Sequence, residues 1–276
     1  MREGAKPKTV SADSGTKVWP LWRALYAQGD PLPVLPRVTR RSAHRFDEGD
    51  ALPEEYRRLL VKMIRREGER AGNKSFLNLM AGCIELADTL YPTQELKVLK
   101  AEYVAEELKH AIQFHRLALA LEPALALRDA PYTHYALRLD RGSWVDDAFF
   151  HFFMDLTGAF YAREWVQSSY VPLARLAPAI ERDEVGHSEL GYHLLSRICA
   201  EGPGRELAQR LLAKWYPAAL DVWGRSDSPS MPTLIRWGLK NVENEAMRQA
   251  YQQYVDPKLQ ALGLELPDPR AQRLFL

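Results

Sequence analysis

Two short motifs limit what this chain can fold into more than any other feature. Glu107-Leu108-Lys109-His110 and Glu184-Val185-Gly186-His187 each set a carboxylate and an imidazole at i and i+3, on one helix face and within reach of a common ion. Their neighbours decide which way that face points. At about 100° per residue, Leu96, Leu99, Tyr103, Glu107, His110, Phe114, Leu117 and Leu121 share one stripe. Leu173, Ala177, Ile180, Glu184, His187, Gly191 and Ile198 form the matching stripe around the second motif. Both polar pairs therefore sit in the middle of apolar faces and are expected to point inward. Enclosing two carboxylates and two imidazoles in a core costs on the order of several kcal/mol unless they pair with one another or with a cation. A divalent metal removes that cost; the metal-free alternative is two buried Glu–His hydrogen bonds.

The rest of the chain supplies helices to carry such a site. From Pro53 onward, apolar residues recur with helical period over about 54–70, 75–90, 93–121, 145–168, 172–200, 204–216 and 243–262. Breaks fall at Pro92-Thr93, at Ser168-Ser169-Tyr170 before Pro172, and at Gly202-Pro203-Gly204. This pattern predicts an all-α bundle over 51–276 with further helices at its C-terminal end. Pro31, Pro33 and Pro36 predict instead an extended arm over 1–50. Lys plus Arg number 37 against 36 for Asp plus Glu, which gives no global attraction to nucleic acid or to an acidic membrane. The two cysteines, Cys83 and Cys199, have no Cys-x-x-Cys spacing, so neither a disulfide scaffold nor a thiolate zinc site is expected. No signal-like or membrane-length apolar run occurs, and a cytoplasmic location is the expectation.

A two-metal carboxylate site in a four-helix bundle needs one further carboxylate from each of the other two helices, at the same height. Counting outward from the turn near 168–172 puts Asp155 level with Glu184, with small Ala148, Ala159 and Ala162 beside it. The competing reading of Asp155 is a hydrogen bond to His151 one turn earlier. On the first hairpin the position level with Glu107 is Leu77, which cannot bind a metal. Glu69 and Glu85 flank it, and Glu69 is the preferred ligand, given a helix break at Ala71-Gly72-Asn73-Lys74. His115 and His193 lack a Glu three residues before them and read as ordinary core or half-exposed histidines. Trp144, Phe149, Phe150, Phe152, Phe153 and Phe160 read as core or subunit interface.

The stretch from Asp155 to His187, with Ser169-Tyr170-Val171-Pro172-Leu173-Ala174-Arg175 inside it, resembles the catalytic A subunits of ring-1,2-phenylacetyl-CoA epoxidases. So do Trp215-Tyr216-Pro217, Gly224 with Ser226-Asp227-Ser228, Trp237, Asn244 with Arg248-Gln249, and Leu262-Gly263 through Pro267-Asp268-Pro269. The resemblance spans roughly 54–270 and implies a ferritin-like bundle with a di-iron site. It further implies an activity that inserts one atom of O2 into the aromatic ring of an acyl-CoA, with companion subunits and a reductase as electron source. Glu107, His110, Asp155, Glu184 and His187 match its ligand pattern and are the implied catalytic residues. Oxygen and imidazole ligands without thiolate suit two iron ions, with manganese as the alternative. Lys62, Arg65, Arg66 and Arg70 are candidates for the CoA phosphates, each weighed against an ordinary solvated helix face. Two other functions compete: a metal-free scaffold subunit of such an oxygenase, and a ferritin-like protein that scavenges peroxide or oxidises iron.

Overall fold

A computed structural model describes residues 30–36, 44–72, 80–85, 91–124 and 135–274, with the side chains of 65–72 outside that set. Helix α1 is Glu54–Gly72 and opens on two acids, Glu54 and Glu55, which complement the positive end of its dipole. A helical stretch over 80–85 follows. Helix α2, Gln94–Leu121, starts where Thr93 caps it, its side-chain oxygen accepting from the Leu96 amide. Helix α3 runs without interruption through Trp144–Phe150, a π-helical segment His151–Asp155, and Leu156–Trp165. Helix α4 is Val171–Cys199, with Pro172 in its first turn. Then come α5 (Gly202–Asp221), α6 (Met231–Arg236) and α7 (Asn244–Ala261). Among the described residues there is no strand, and the chain is an all-α bundle with additional C-terminal helices, as its periodicity predicts.

Helix α1 packs on α2, and α3 packs on α4; the two pairs meet where α2 faces α4. One end of the bundle is closed by Tyr56, Leu60, Ile64, Phe114, Ala118, Trp165, Leu173, Ala177 and Ile180. There, residues 44–50 form a strap: Phe46 bridges Tyr170, its amide donating to Ser169 O and its carbonyl accepting from Val171 N, each at 2.8 Å. The C-terminal helices lie outside α3. Arg248 of α7 donates to Leu220 O at 3.1 Å, and Asn244 donates to Arg225 O at 2.8 Å, so α7 fixes the loop that follows α5.

The π segment is the irregularity that matters most, because one residue inserted into the helical ladder frees backbone carbonyls that must find donors elsewhere. Three side chains supply them. Ser188 of α4 donates to Phe152 O at 3.0 Å, Tyr251 of α7 to Phe153 O at 3.0 Å, and Thr157 to Met154 O at 2.7 Å. Helix α4 passes close enough to do this because residue 191 is glycine. A Cβ there would stand 2.3 Å from Phe152 N and 2.8 Å from Ala148 O.

Candidate metal centre

Helices α2 and α4 bring Glu107, His110, Glu184 and His187 together in the interior, all at most 7 % exposed. Ligand atoms of Glu107, His110 and Glu184 lie within 4.8 Å of one another. His110 Nδ1 faces Glu184 at 3.5 Å and Glu107 at 3.9 Å; His187 Nδ1 faces Glu107 at 3.3 Å and Glu184 at 3.9 Å. Each imidazole thus aims one nitrogen at the shared carboxylates. Its other nitrogen meets an acid from the opposite helix: His187 Nε2 lies 2.8 Å from Glu106, and His110 Nε2 lies 3.3 Å from Asp183. The arrangement is pairwise symmetric, because each outer acid directly precedes the inner Glu of its own helix.

Neither the Glu-x-x-His motif nor the apolar stripe points to Glu106 or Asp183. The available signal was the doublet, Glu106-Glu107 and Asp183-Glu184, in front of each Glu-x-x-His. Their effect is chemical: an Nε2–H held by a carboxylate leaves the Nδ1 lone pair directed at the centre, the orientation a metal ligand needs.

The electrostatics follow from enclosure. Burial alone would lower the His110 pKa, yet the carboxylates of Asp183, Glu184 and Glu107 push it up to about 10. His187 is likewise driven well above its ordinary value, against burial, by Glu106, Glu107 and Glu184. Burial opposes ionisation of Glu184, but the two imidazoles prevail and bring it down to about 2. Without a metal, then, protons on the imidazoles balance the carboxylates. The balance is incomplete, because Glu107 Oε1 and His110 Nδ1 are enclosed with no hydrogen-bond partner among the described residues. Orphaned donor and acceptor atoms that converge in one buried place, all nitrogen and oxygen, fit divalent metal ions.

Asp155 is buried at the π segment, where its Oδ2 lies 2.7 Å from His151 Nδ1 and its Oδ1 accepts from the Tyr103 hydroxyl at 3.3 Å. The hydrogen bond that competed with metal ligation in the sequence is therefore present. It leaves Asp155 next to the quartet, because the Tyr103 ring packs edge-on to both His151 and His187, at 4.2 and 4.7 Å between centroids. Burial first, and the charge of Glu184 in addition, raise the Asp155 pKa to about 6 against the pull of His151. The residue directly opposite Glu184 is Gly158, where a Cβ would stand 2.8 Å from the Glu184 carboxylate. The small Ala148, Ala159 and Ala162 are all fully buried.

The side chain of Glu69 lies outside the described residues. Tyr56, Leu60 and Ile64 bury the bundle-facing side of α1. Glu85 is exposed. Of the four cations that could meet the CoA phosphates, Lys62 is exposed, and the side chains of Arg65, Arg66 and Arg70 lie outside the described residues. His115 and His193 are half-buried, and the five phenylalanines from Phe149 to Phe160 are buried in the core. No helix among the described residues is long and apolar enough to cross a membrane.

Comparison with known proteins places the chain in a family. The family model described as "Phenylacetic acid catabolic protein" matches residues 104–274, which include both Glu-x-x-His motifs and the C-terminal helices. The chain is also 23% identical over 245 residues to one of the subunits of the 1,2-phenylacetyl-CoA epoxidase of Escherichia coli (strain K12), covering 84% of this chain and 76% of that protein.

Proposed function

The chain belongs to the phenylacetic acid catabolic protein family, and from that premise we propose that it is the di-iron subunit of an oxygenase inserting one atom of O2 into the aromatic ring of an acyl-CoA. The observation that carries the reading is the buried quartet with its orphaned Glu107 and His110 atoms. A scaffold subunit that never met a metal would gain stability by pairing or replacing them. Glu107, His110, Glu184, His187 and Asp155 would hold the irons. Glu69 would supply the first-helix ligand.

Those residues would hold two irons, and the chemistry such ions would supply when bound is the activation of O2 with electrons from a reductase. The protein's own contribution is organisation. Glu106 and Asp183 hold the imidazole tautomers, Gly158 gives Glu184 room, and the surrounding aromatic core keeps water away. An acyl-CoA also needs a place for its polar end. A cavity of about 330 Å³ between α1, α3 and the C-terminal helices combines Lys62, Arg225 and Lys240 with the rings of Tyr161, Trp165 and Trp223, a wall suited to a phosphate-bearing heteroaromatic group.

The test is turnover. Iron-loaded protein, combined with its companion subunits and a reductase, is expected to consume O2 only when an aromatic acyl-CoA is present and to place one ¹⁸O atom in the product from ¹⁸O2. Uncoupled O2 consumption with unlabelled thioester would refute the oxygenase reading.

A further inference from the structure

Asp155 ends a buried polar chain that a metal site by itself does not require. His151 Nδ1 lies 2.7 Å from Asp155 Oδ2, and the other nitrogen of that ring, Nε2, lies 2.8 Å from Lys100 Nζ. Lys100 is only 1 % exposed. Its ammonium is paired with Asp147 at 2.8 Å, and Asp147 also accepts from Arg141 at 3.1 Å and from the Tyr91 hydroxyl. Every member from Asp155 to Asp147 is enclosed.

The chain has a fixed direction. A lysine ammonium carries donors and no acceptor, so the His151 nitrogen that faces it must accept. The ring proton is then on Nδ1, and His151 donates to Asp155. The alternative is a doubly protonated ring paired with Asp147. It would set an N–H against an ammonium at 2.8 Å while leaving Nε2 at 3.6 Å from Asp147, too long for a hydrogen bond. Stability does not explain this construction, since well-packed apolar residues in place of a buried ion pair are often neutral or better.

We propose that Lys100 is a positioning residue of the metal centre: by fixing His151 as the Nδ1–H tautomer it gives Asp155 Oδ2 a permanent donor, and with Tyr103 on Oδ1 it holds that carboxylate in one orientation. This rests on the reading of Asp155 as a metal ligand. The π segment serves the same end, because it carries His151 and Asp155 at its two ends and is itself anchored from α4 and α7.

The first readout needs neither metal nor variant. Long-range ¹H–¹⁵N NMR of the metal-free, histidine-labelled full chain is expected to show His151 protonated on Nδ1 alone. The second uses cobalt(II) as probe. Lys100→Met combined with Asp147→Asn removes cation and counter-ion together; it is expected to release the tautomer, alter the visible spectrum of bound cobalt and weaken cobalt binding about 10- to 100-fold, with helicity unchanged. Lys100→Arg, which still donates, is expected to restore most of the affinity. A wild-type His151 that is Nε2–H or doubly protonated, or unchanged cobalt affinity in the folded double variant, would overturn the proposal. A wild-type chain that binds no cobalt would overturn the metal reading and any role of Lys100 at a metal, whereas the tautomer would still decide the Lys100–His151 step.

Discussion

At the scale of single residues, the site depends on atoms placed within a few tenths of an ångström. Gly158 shows this most directly: Gly158→Ala would put a methyl 2.8 Å from the Glu184 carboxylate. The variant is expected to fold with normal helicity while losing most of its bound metal, as metal analysis beside circular dichroism would show. Glu106→Gln and Asp183→Asn keep the shape but weaken the hold on each imidazole, and each is expected to lower metal affinity about 10-fold or more by titration with cobalt(II). Protonation of the quartet sets the pH response of the metal-free protein. His110 has its folded pKa raised from 6.5 to about 10, so its stabilising effect is complete below pH 6.5 and disappears as pH rises toward 10. Glu184 has its folded pKa lowered from 4.5 to about 2, so its effect is complete above pH 4.5 and is lost as pH falls toward 2. The chelated protein should therefore have its highest melting temperature between about pH 4.5 and 6.5; a maximum near pH 9 would contradict that charge balance. The inward direction of the quartet was legible in the sequence, because the apolar stripes around both motifs are unbroken. The outer acids were overlooked because each lies off its stripe by one position and acts across the bundle.

At the scale of elements, helix positions were readable because caps and prolines mark them: Thr93 caps α2, Pro172 opens α4, and Gly202 and Pro203 open α5. The π segment left no such mark. It is stabilised by Ser188, Tyr251 and Thr157, two of which belong to other helices, so nothing local to 151–155 announces it. Height counted from turns assumes regular helices, an assumption that the π-helical segment His151–Asp155 breaks within α3. Two substitutions test the support of the π segment. Gly191→Ala places a Cβ against backbone that cannot yield, and should destabilise the protein by about 1–3 kcal/mol in urea unfolding. Tyr251→Phe removes one buried donor and should cost about 1–2 kcal/mol while leaving metal content near the wild-type level. Equal metal loss in both variants would mean that the segment, rather than the ligands, controls occupancy.

At the scale of the whole molecule, the two helix pairs enclose the buried quartet, the C-terminal helices brace α3, and the strap at Phe46 closes one end of the bundle. Partner subunits and an electron donor leave no signature that a single chain can display. What points to companion subunits is that the similar protein is itself one subunit of an epoxidase. An assembly is nonetheless expected: mixed with its companion subunit, the chain should elute as a larger complex in size-exclusion chromatography, and two separate monomer peaks at all concentrations would count against it. Everything else turns on whether the buried quartet holds metal. The decisive measurement is iron per chain, by mass spectrometry, in protein produced with excess iron, compared with Glu184→Ala and His187→Ala. Near two irons in the wild type, with most of the metal lost from both folded variants, is the expected result; a folded wild-type chain with no iron, or variants that keep a full complement, would contradict it.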